Sequence, residues 1–261
     1  MIKKLLKEDL KKMTKILVYI YCISIVMAVL TKLIGLGNHI QLISILGNVF
    51  SAISYSAIAS ILVNTFIHIL RVFINNFYKD ESYLTHTLPV TKKQLLVSKY
   101  LASLITVVCS VAVSFLCLFI LLYTPELMQN LKMLLAYIVS GLNISSGLFL
   151  TIFIVIVFAE MFSIISMSLC AIVKANTYNT KRLVRGIVWF GIYYFCSTVA
   201  SIIAMVISFA LTGNITQLLA TQLSQTAFLT VLITGLIIYL GSAIVFYFIC
   251  KRLFNKGVNV D

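Results

Sequence analysis

Six long apolar stretches, each nearly free of charge, decide what this chain can fold into: Ile16–Ile34, Ile43–Leu70, Leu95–Tyr123, Leu148–Val173, Gly186–Leu211 and Ala227–Cys250. A bilayer core of ~30 Å takes ~20 apolar residues in helix to cross it, and each stretch is about that long or longer. Lys32 and Lys99 stand near the ends of their stretches, where a long side chain can snorkel to the headgroups. With 61% of residues hydrophobic and only 10% charged, a water-soluble core could not hide the apolar surface. Helices satisfy every backbone donor and acceptor internally, so the pattern predicts a helical bundle in lipid. A membrane β-barrel would show short alternating stretches instead, and none occurs. The expected fold class is all-α: a polytopic membrane protein with six transmembrane helices.

The charge distribution orients the bundle. The net charge is +13, from 20 Lys and Arg against 7 Asp and Glu. With the N-terminus in the cytoplasm, the segments on that side hold eighteen of the 20 basic residues, and only Lys32 and Lys132 fall on the other. This is the positive-inside bias. It places both termini in the cytoplasm, which needs an even number of spans, and argues against nucleic acid as the partner of the basic charge. The apolar run after Lys15 is longer than a signal-peptide core and no A-x-A site follows it, so no cleaved leader is expected. Cys22, Cys109, Cys117, Cys170, Cys196 and Cys250 all lie in predicted spans without CxxC or Cys/His spacing, and read as small apolar packing residues.

The expected organisation is a cytoplasmic amphipathic helix over 1–15, a six-helix domain over 16–250, and a cytoplasmic tail over 251–261. Ile2, Leu5, Leu6, Leu10 and Met13 recur at helical spacing with lysines opposite them, as in a basic helix lying on the inner leaflet. The second stretch is rich in small and polar residues. Ala52, Ser56 and Ser60 recur every fourth residue, joined by Asn48, Ser51, Ser54, Asn64 and His68. Such a row admits two readings: close helix packing, or a face lining a polar pathway with Asn48, Ser51, Ser56, Ser60, Asn64 and His68 along it. His68, about one turn from the cytoplasmic end, reads as a hydrogen-bonded packing residue in preference to a proton carrier.

Residues 71–94 form the sizeable cytoplasmic connection. Phe73, Phe77, Tyr78 and Tyr83 accompany the acidic pair Asp80 and Glu81. Pro89 disfavours helix at Leu88, and Thr91 with Gln94 makes a T-x-x-Q capping box that starts the third helix. The connection reads either as an interfacial loop or as a docking surface for a protein. Farther along, Met133–Val173 is too long for one simple span, and its polar middle, Gly141–Gly147, divides it. The fourth membrane helix is expected after that break, with Met133–Ser140 outside it or as a tilted extension. Glu160 is the one acidic residue in any apolar stretch. A carboxylate at bilayer depth costs about 2.5–3.5 kcal/mol on insertion scales. Its three readings are a protonated structural hydrogen-bonder, part of a substrate or coupling path, or a residue nearer the interface. The uncharged segment 212–226 is expected to form a short helix at the outer surface.

The chain holds no GxxxxGK[ST], no HExxH and no GxSxG, so it lacks a phosphate-cradling loop of the P-loop kind, a zinc-protease signature and a nucleophile elbow. No catalytic residue, metal site or cofactor site is expected within it.

The run FYKDESYLTHTLPVTKKQLLVSKYLASLI, from Phe77 to Ile105, resembles the cytoplasmic loop of bacterial ABC-2 type transporter permeases. Asp80, Glu81, Tyr83, Leu84, Thr87, Leu88, Pro89, Val90, Thr91, Gln94, Leu95, Leu96, Ser98 and Lys99 occupy that family's pattern, with Ser82 where a Gly is common. The resemblance implies the membrane subunit of an ATP-driven transporter, mostly exporters, located in the bacterial cytoplasmic membrane. Two such units, alike or different, pair to form the pathway, and each docks a separate ABC ATPase that binds ATP and Mg. The loop would be a coupling helix between helices 2 and 3, with Asp80, Glu81, Tyr83, Leu84, Thr87, Leu88 and Pro89 meeting the ATPase. Two rivals stay open: an ion-coupled secondary transporter using Glu160, and a non-transporting membrane immunity or sensor component.

Overall fold

The computed structural model describes residues 2–35, 41–78, 90–142, 145–178, 182–213 and 224–255. Seven helices account for nearly all of them: α1 (Ile2–Gly35), α2 (Gln41–Tyr78), α3 (Lys92–Leu122), α4 (Pro125–Leu142), α5 (Ser146–Ala175), α6 (Arg182–Leu211) and α7 (Gln225–Asn255). There is no strand among the described residues. All except α4 contain a window long and apolar enough to cross a membrane. The chain is therefore an all-helical polytopic membrane protein with six candidate spans, as the apolar stretches predict.

The helices are longer than the apolar stretches that announce them. The basic segment expected to form a helix of its own is the first turns of α1, whose 34 residues run without a break. No Pro or Gly interrupts the chain between Ile2 and Leu33, and one buried row passes through both parts: Asp9, Met13, Leu17, Ser24, Ala28 and Thr31. At ~1.5 Å per residue α1 extends about 51 Å, well beyond the hydrocarbon thickness. Likewise α2 continues through Arg71–Tyr78, so the first third of the expected connection is helix. The structure supplies both halves of the Thr91 capping box at the start of α3: the Thr91 hydroxyl accepts from the Gln94 N–H, and the Gln94 side chain accepts from the Thr91 N–H.

The division of Met133–Val173 falls where the polar middle predicts it. Ser145 caps α5, accepting from the Leu148 N–H. Met133–Ser140 belongs to the separate helix α4, on which Met133, Leu134 and Tyr137 are exposed. Most of the segment expected as an outer-surface helix (214–223), and most of the tail (256–261), lie outside the described residues.

The chain divides into two compact units, Met1–Asn130 and Leu131–Asp261. In the first, α1 packs against both α2 and α3, and α2 against α3. In the second, α5 packs against both α6 and α7, and α6 against α7. The second half of α5, from Ala159 to Ala175, is the buried spine of its unit, whereas α6 buries only Phe209.

Candidate functional site

The first unit is laced by polar side chains along α3. Lys99, Ser103, Thr106, Ser110, Ser114 and Cys117 recur every three or four residues and are all buried. This spacing puts one side chain per turn on a single helix stripe, and the stripe faces α1. At its centre the Ser110 hydroxyl stands 2.6 Å from the Tyr21 hydroxyl and 2.7 Å from that of Thr65, so one serine joins all three helices. Toward the other end of α1, the hydroxyls of Thr31 and Ser54 lie 2.7 Å apart, and Ser54 also donates to the Met27 carbonyl. Hydroxyls that bond across helices let apolar helices recognise one another where lipid supplies no hydrophobic force.

At the basic end of this unit the stripe terminates in an ion pair. The Lys99 ammonium contacts one carboxylate oxygen of Asp9, and the Ser98 hydroxyl donates to the other at 2.6 Å. Only 3% of the Lys99 side chain and 9% of the Asp9 side chain remain exposed, so the charges are held away from solvent and each is compensated by the other. Lys99 thus does not snorkel to the headgroups, as its place near the end of an apolar stretch suggested. A buried acid at the right height turns it inward. The same ammonium lies 6.0 Å from the Phe77 ring, which meets Phe73 edge-on at a centroid separation of 4.8 Å. Phe73, Phe77 and Tyr78 are all buried.

This arrangement fixes both ends of the 79–89 connection. Its entry is the buried aromatic end of α2 and its exit is the capped start of α3, and Phe77 and Lys99 bring the two together beside α1. The residues expected to dock a partner, Asp80, Glu81, Tyr83, Leu84, Thr87, Leu88 and Pro89, lie outside the described residues. Their frame is described on both sides.

Of the candidate pathway residues of α2, Ser56, Ser60 and Asn64 occupy the helix face away from Ile58, Ile61, Thr65 and Ile69, which are buried, whereas Ser51, seven residues before Ile58, falls on the buried side. Asn48, Ser56 and Asn64 are exposed, and Ser51 and Ser60 half-buried. Each of four side chains bonds back to its own helix: Ser51 to the Asn48 carbonyl, Ser56 to Ile53, Ser60 to Ala57 and Asn64 to Ser60, at 2.7 to 2.8 Å. A polar side chain that closes on its own backbone can face lipid or water without an orphaned donor. His68 instead approaches α1, its Nε2 standing 3.3 Å from the Lys12 carbonyl. Because the carbonyl only accepts, Nε2 carries the proton there, which suits the packing role read from the sequence.

Glu160 belongs to the second unit, half-buried on α5. Tyr239 of α7 lies near it. One turn on, the hydroxyls of Ser163 and Ser242 meet at 2.6 Å, so the α5–α7 contact has its own short polar row. Farther down α5, Cys170 is buried near Tyr193 of α6. The six cysteines are all free; Cys117, Cys170 and Cys250 are buried, as packing residues would be, and Cys22, Cys109 and Cys196 are exposed. No group of three His, Cys, Asp or Glu could hold a metal ion among the described residues.

The ion pair is the feature that sequence reasoning missed. Asp9 sits in a run of lysines and Lys99 is ninety residues away, so no local spacing joins them. The one available signal is that Asp9 shares the α1 row of Met13 and Leu17 at four-residue intervals. No protein-family model matches the chain, and no curated protein or solved structure matches it either.

Proposed function

We propose that this chain is the membrane subunit of an ABC-2 type transporter, an exporter driven by ATP hydrolysed on a separate subunit. The observation that carries the reading is the closure of the family-like string upon itself. Phe77, its first residue, and Lys99, near its end, are held against each other at the buried Asp9 carboxylate. A loop that transmits force must be stiff at its base, because a compliant base would absorb the displacement. The buried ion pair, the Phe73–Phe77 contact and the Thr91 capping box provide that stiffness on both sides of residues 79–89.

In this mechanism two such subunits form the pathway and each seats its 79–89 loop on an ATPase that holds ATP and Mg. Closure of the ATPase pair pulls the loops, and α1, α2 and α3 re-tilt about their basic ends. The loop shifts the equilibrium only if it contacts the open and closed ATPase differently, a role that falls to Asp80, Glu81, Tyr83 and Leu84. The polar outer face of α2, from Ser56 to Asn64, suits the wall of the path. The runner-up is an ion-coupled carrier, favoured by the half-buried Glu160 beside Tyr239.

The test is purification of the full chain, co-expressed with an ABC ATPase subunit from the same source, in mild detergent, followed by reconstitution in vesicles. The expected result is a stable complex whose ATPase and transport are coupled. Glu81→Lys is expected to uncouple them while the chain still inserts and folds. Transport driven by a proton gradient with no ATPase present, and abolished by Glu160→Gln, would favour the carrier instead.

A further inference from the structure

We infer that the basic end of the second unit is a binding site for one anionic phospholipid headgroup, held by Lys174 and Arg185 against the rings of Tyr178 and Trp189. This site is independent of how the protein is powered. At the end of α5 the chain folds back tightly: the Thr177 N–H bonds to the Lys174 carbonyl and the Tyr178 N–H to that of Ala175, each at 3.2 Å. The first turns of α6 return close to the same place. A Cβ built on Gly186 would stand 3.7 Å from that of Ala175, in van der Waals contact. The result is a convergence of cations on rings. The Lys174 ammonium lies 5.4 Å from the Trp189 ring and 6.0 Å from the Tyr178 ring, and the Arg185 guanidinium is 4.5 Å from that same Tyr178 ring.

Two like charges gathered on one ring repel each other, and ring faces offset only about 0.5–1 kcal/mol for each cation at an exposed site. No described acid of this unit stands near enough to supply the balance. Among the described side chains of this unit the sole acid is Glu160, fourteen residues before Lys174 on the same helix, about 21 Å away at the α-helical rise. Arg182, one turn before Arg185 on α6, adds to the positive field. Lys174, Arg182, Arg185 and Trp189 are half-buried, so the cations line the junction of two helices instead of standing free in water.

Such a cluster suits an anion, and the setting says which. The site lies at the ends of two candidate spans, where Trp and Tyr rings sit at headgroup level. A guanidinium grips phosphate oxygens in a bidentate fork, and basic pockets between membrane helices are suited to anionic headgroups. A zwitterionic lipid would bring its own ammonium against Lys174 and Arg185. A net-anionic phosphodiester such as phosphatidylglycerol brings none.

Trp189 is the only tryptophan of the chain, so the site carries its own reporter. Full-length protein in mild detergent, stripped of lipid, is titrated with short-chain phosphatidylglycerol, phosphatidylcholine or inorganic phosphate. Trp189 emission is followed, and retained lipid is counted by native mass spectrometry. Phosphatidylglycerol is expected to shift the emission saturably with one molecule retained per chain, and phosphatidylcholine to do neither. The K174Q/R185Q double variant is expected to weaken phosphatidylglycerol about 30-fold, from the usual effect of a basic residue at an anionic surface. K251Q/R252Q, which removes two charges from the end of α7 that rest on neither the Tyr178 nor the Trp189 ring, is expected to change it by less than about 3-fold. Equal binding of phosphatidylcholine, or equal losses in the two double variants, would overturn the site. An emission change reproduced by inorganic phosphate, with no lipid retained, would overturn the lipid as its ligand. Should K174Q/R185Q not fold, R185K decides: it keeps the charge and loses the planar fork, so a several-fold weakening supports the geometry and unchanged affinity sinks it.

Discussion

The two units solve the same problem, three apolar helices meeting in lipid, with different chemistry. In the first, helices are joined by hydroxyl pairs at several heights and by a buried ion pair at one end. In the second, α5 and α7 share one serine pair, and the rest of the α5 interface is built from small and aliphatic residues such as Ala159, Ile165, Leu169 and Ala171. Polar pairs dictate partner and register, because a slip leaves donors unmet in hydrocarbon. Small residues allow close approach without naming a partner. The first unit is thus specified by what must be satisfied, and the second by what fits.

This contrast is exposed to test at several depths. The largest effect belongs to Asp9→Ala, which strands a buried ammonium and is expected to cost about 3–5 kcal/mol. The measurement is the thermal midpoint of the detergent-solubilised chain, read by gel filtration after heating. Replacing both partners, as Asp9→Leu with Lys99→Met, is expected to restore most of that midpoint, since the uncompensated charge is then gone. Stability restored without coupled transport would separate the fold from the proposed work of the loop. A smaller effect, about 1 kcal/mol, is expected from Thr91→Ala, which removes half of the capping box. Amide exchange confined to the first turn of α3 would check it. Smallest is Ser163→Ala in the second unit, at about 0.6 kcal/mol for one interhelical hydroxyl bond. If Ser163→Ala proved as damaging as Asp9→Ala, the distinction between the units would fall.

Much of this architecture is legible in the sequence because lipid makes the code blunt. Charge-free stretches of sufficient length mark the spans, the polar break Gly141–Gly147 marks the start of α5 through Ser145, and the spacing of Thr91 and Gln94 marks the start of α3. The exact extent of helix is less legible. Hydropathy reports where lipid begins, not where hydrogen bonding stops, so α1 and α2 overrun their apolar stretches by two turns or more. The Asp9–Lys99 pair is least legible, since the fold alone brings the residues together. The fate of the α2 polar residues is half visible. Their row is plain, but only the buried set Ile58, Ile61 and Thr65 reveals that the row faces outward.

The absence of any interruption in α1 has a mechanical corollary. A rod without a joint cannot bend at one place to spare another, so a push at the level of Asp9 arrives at Thr31 as a swing of the whole shaft. The contacts of Thr31 with Phe50 and Ser54 then turn that swing into a shift of the far end of α2. A proline placed midway, at Ile20, would give the shaft an elbow. The two ends of the first unit would then move out of step.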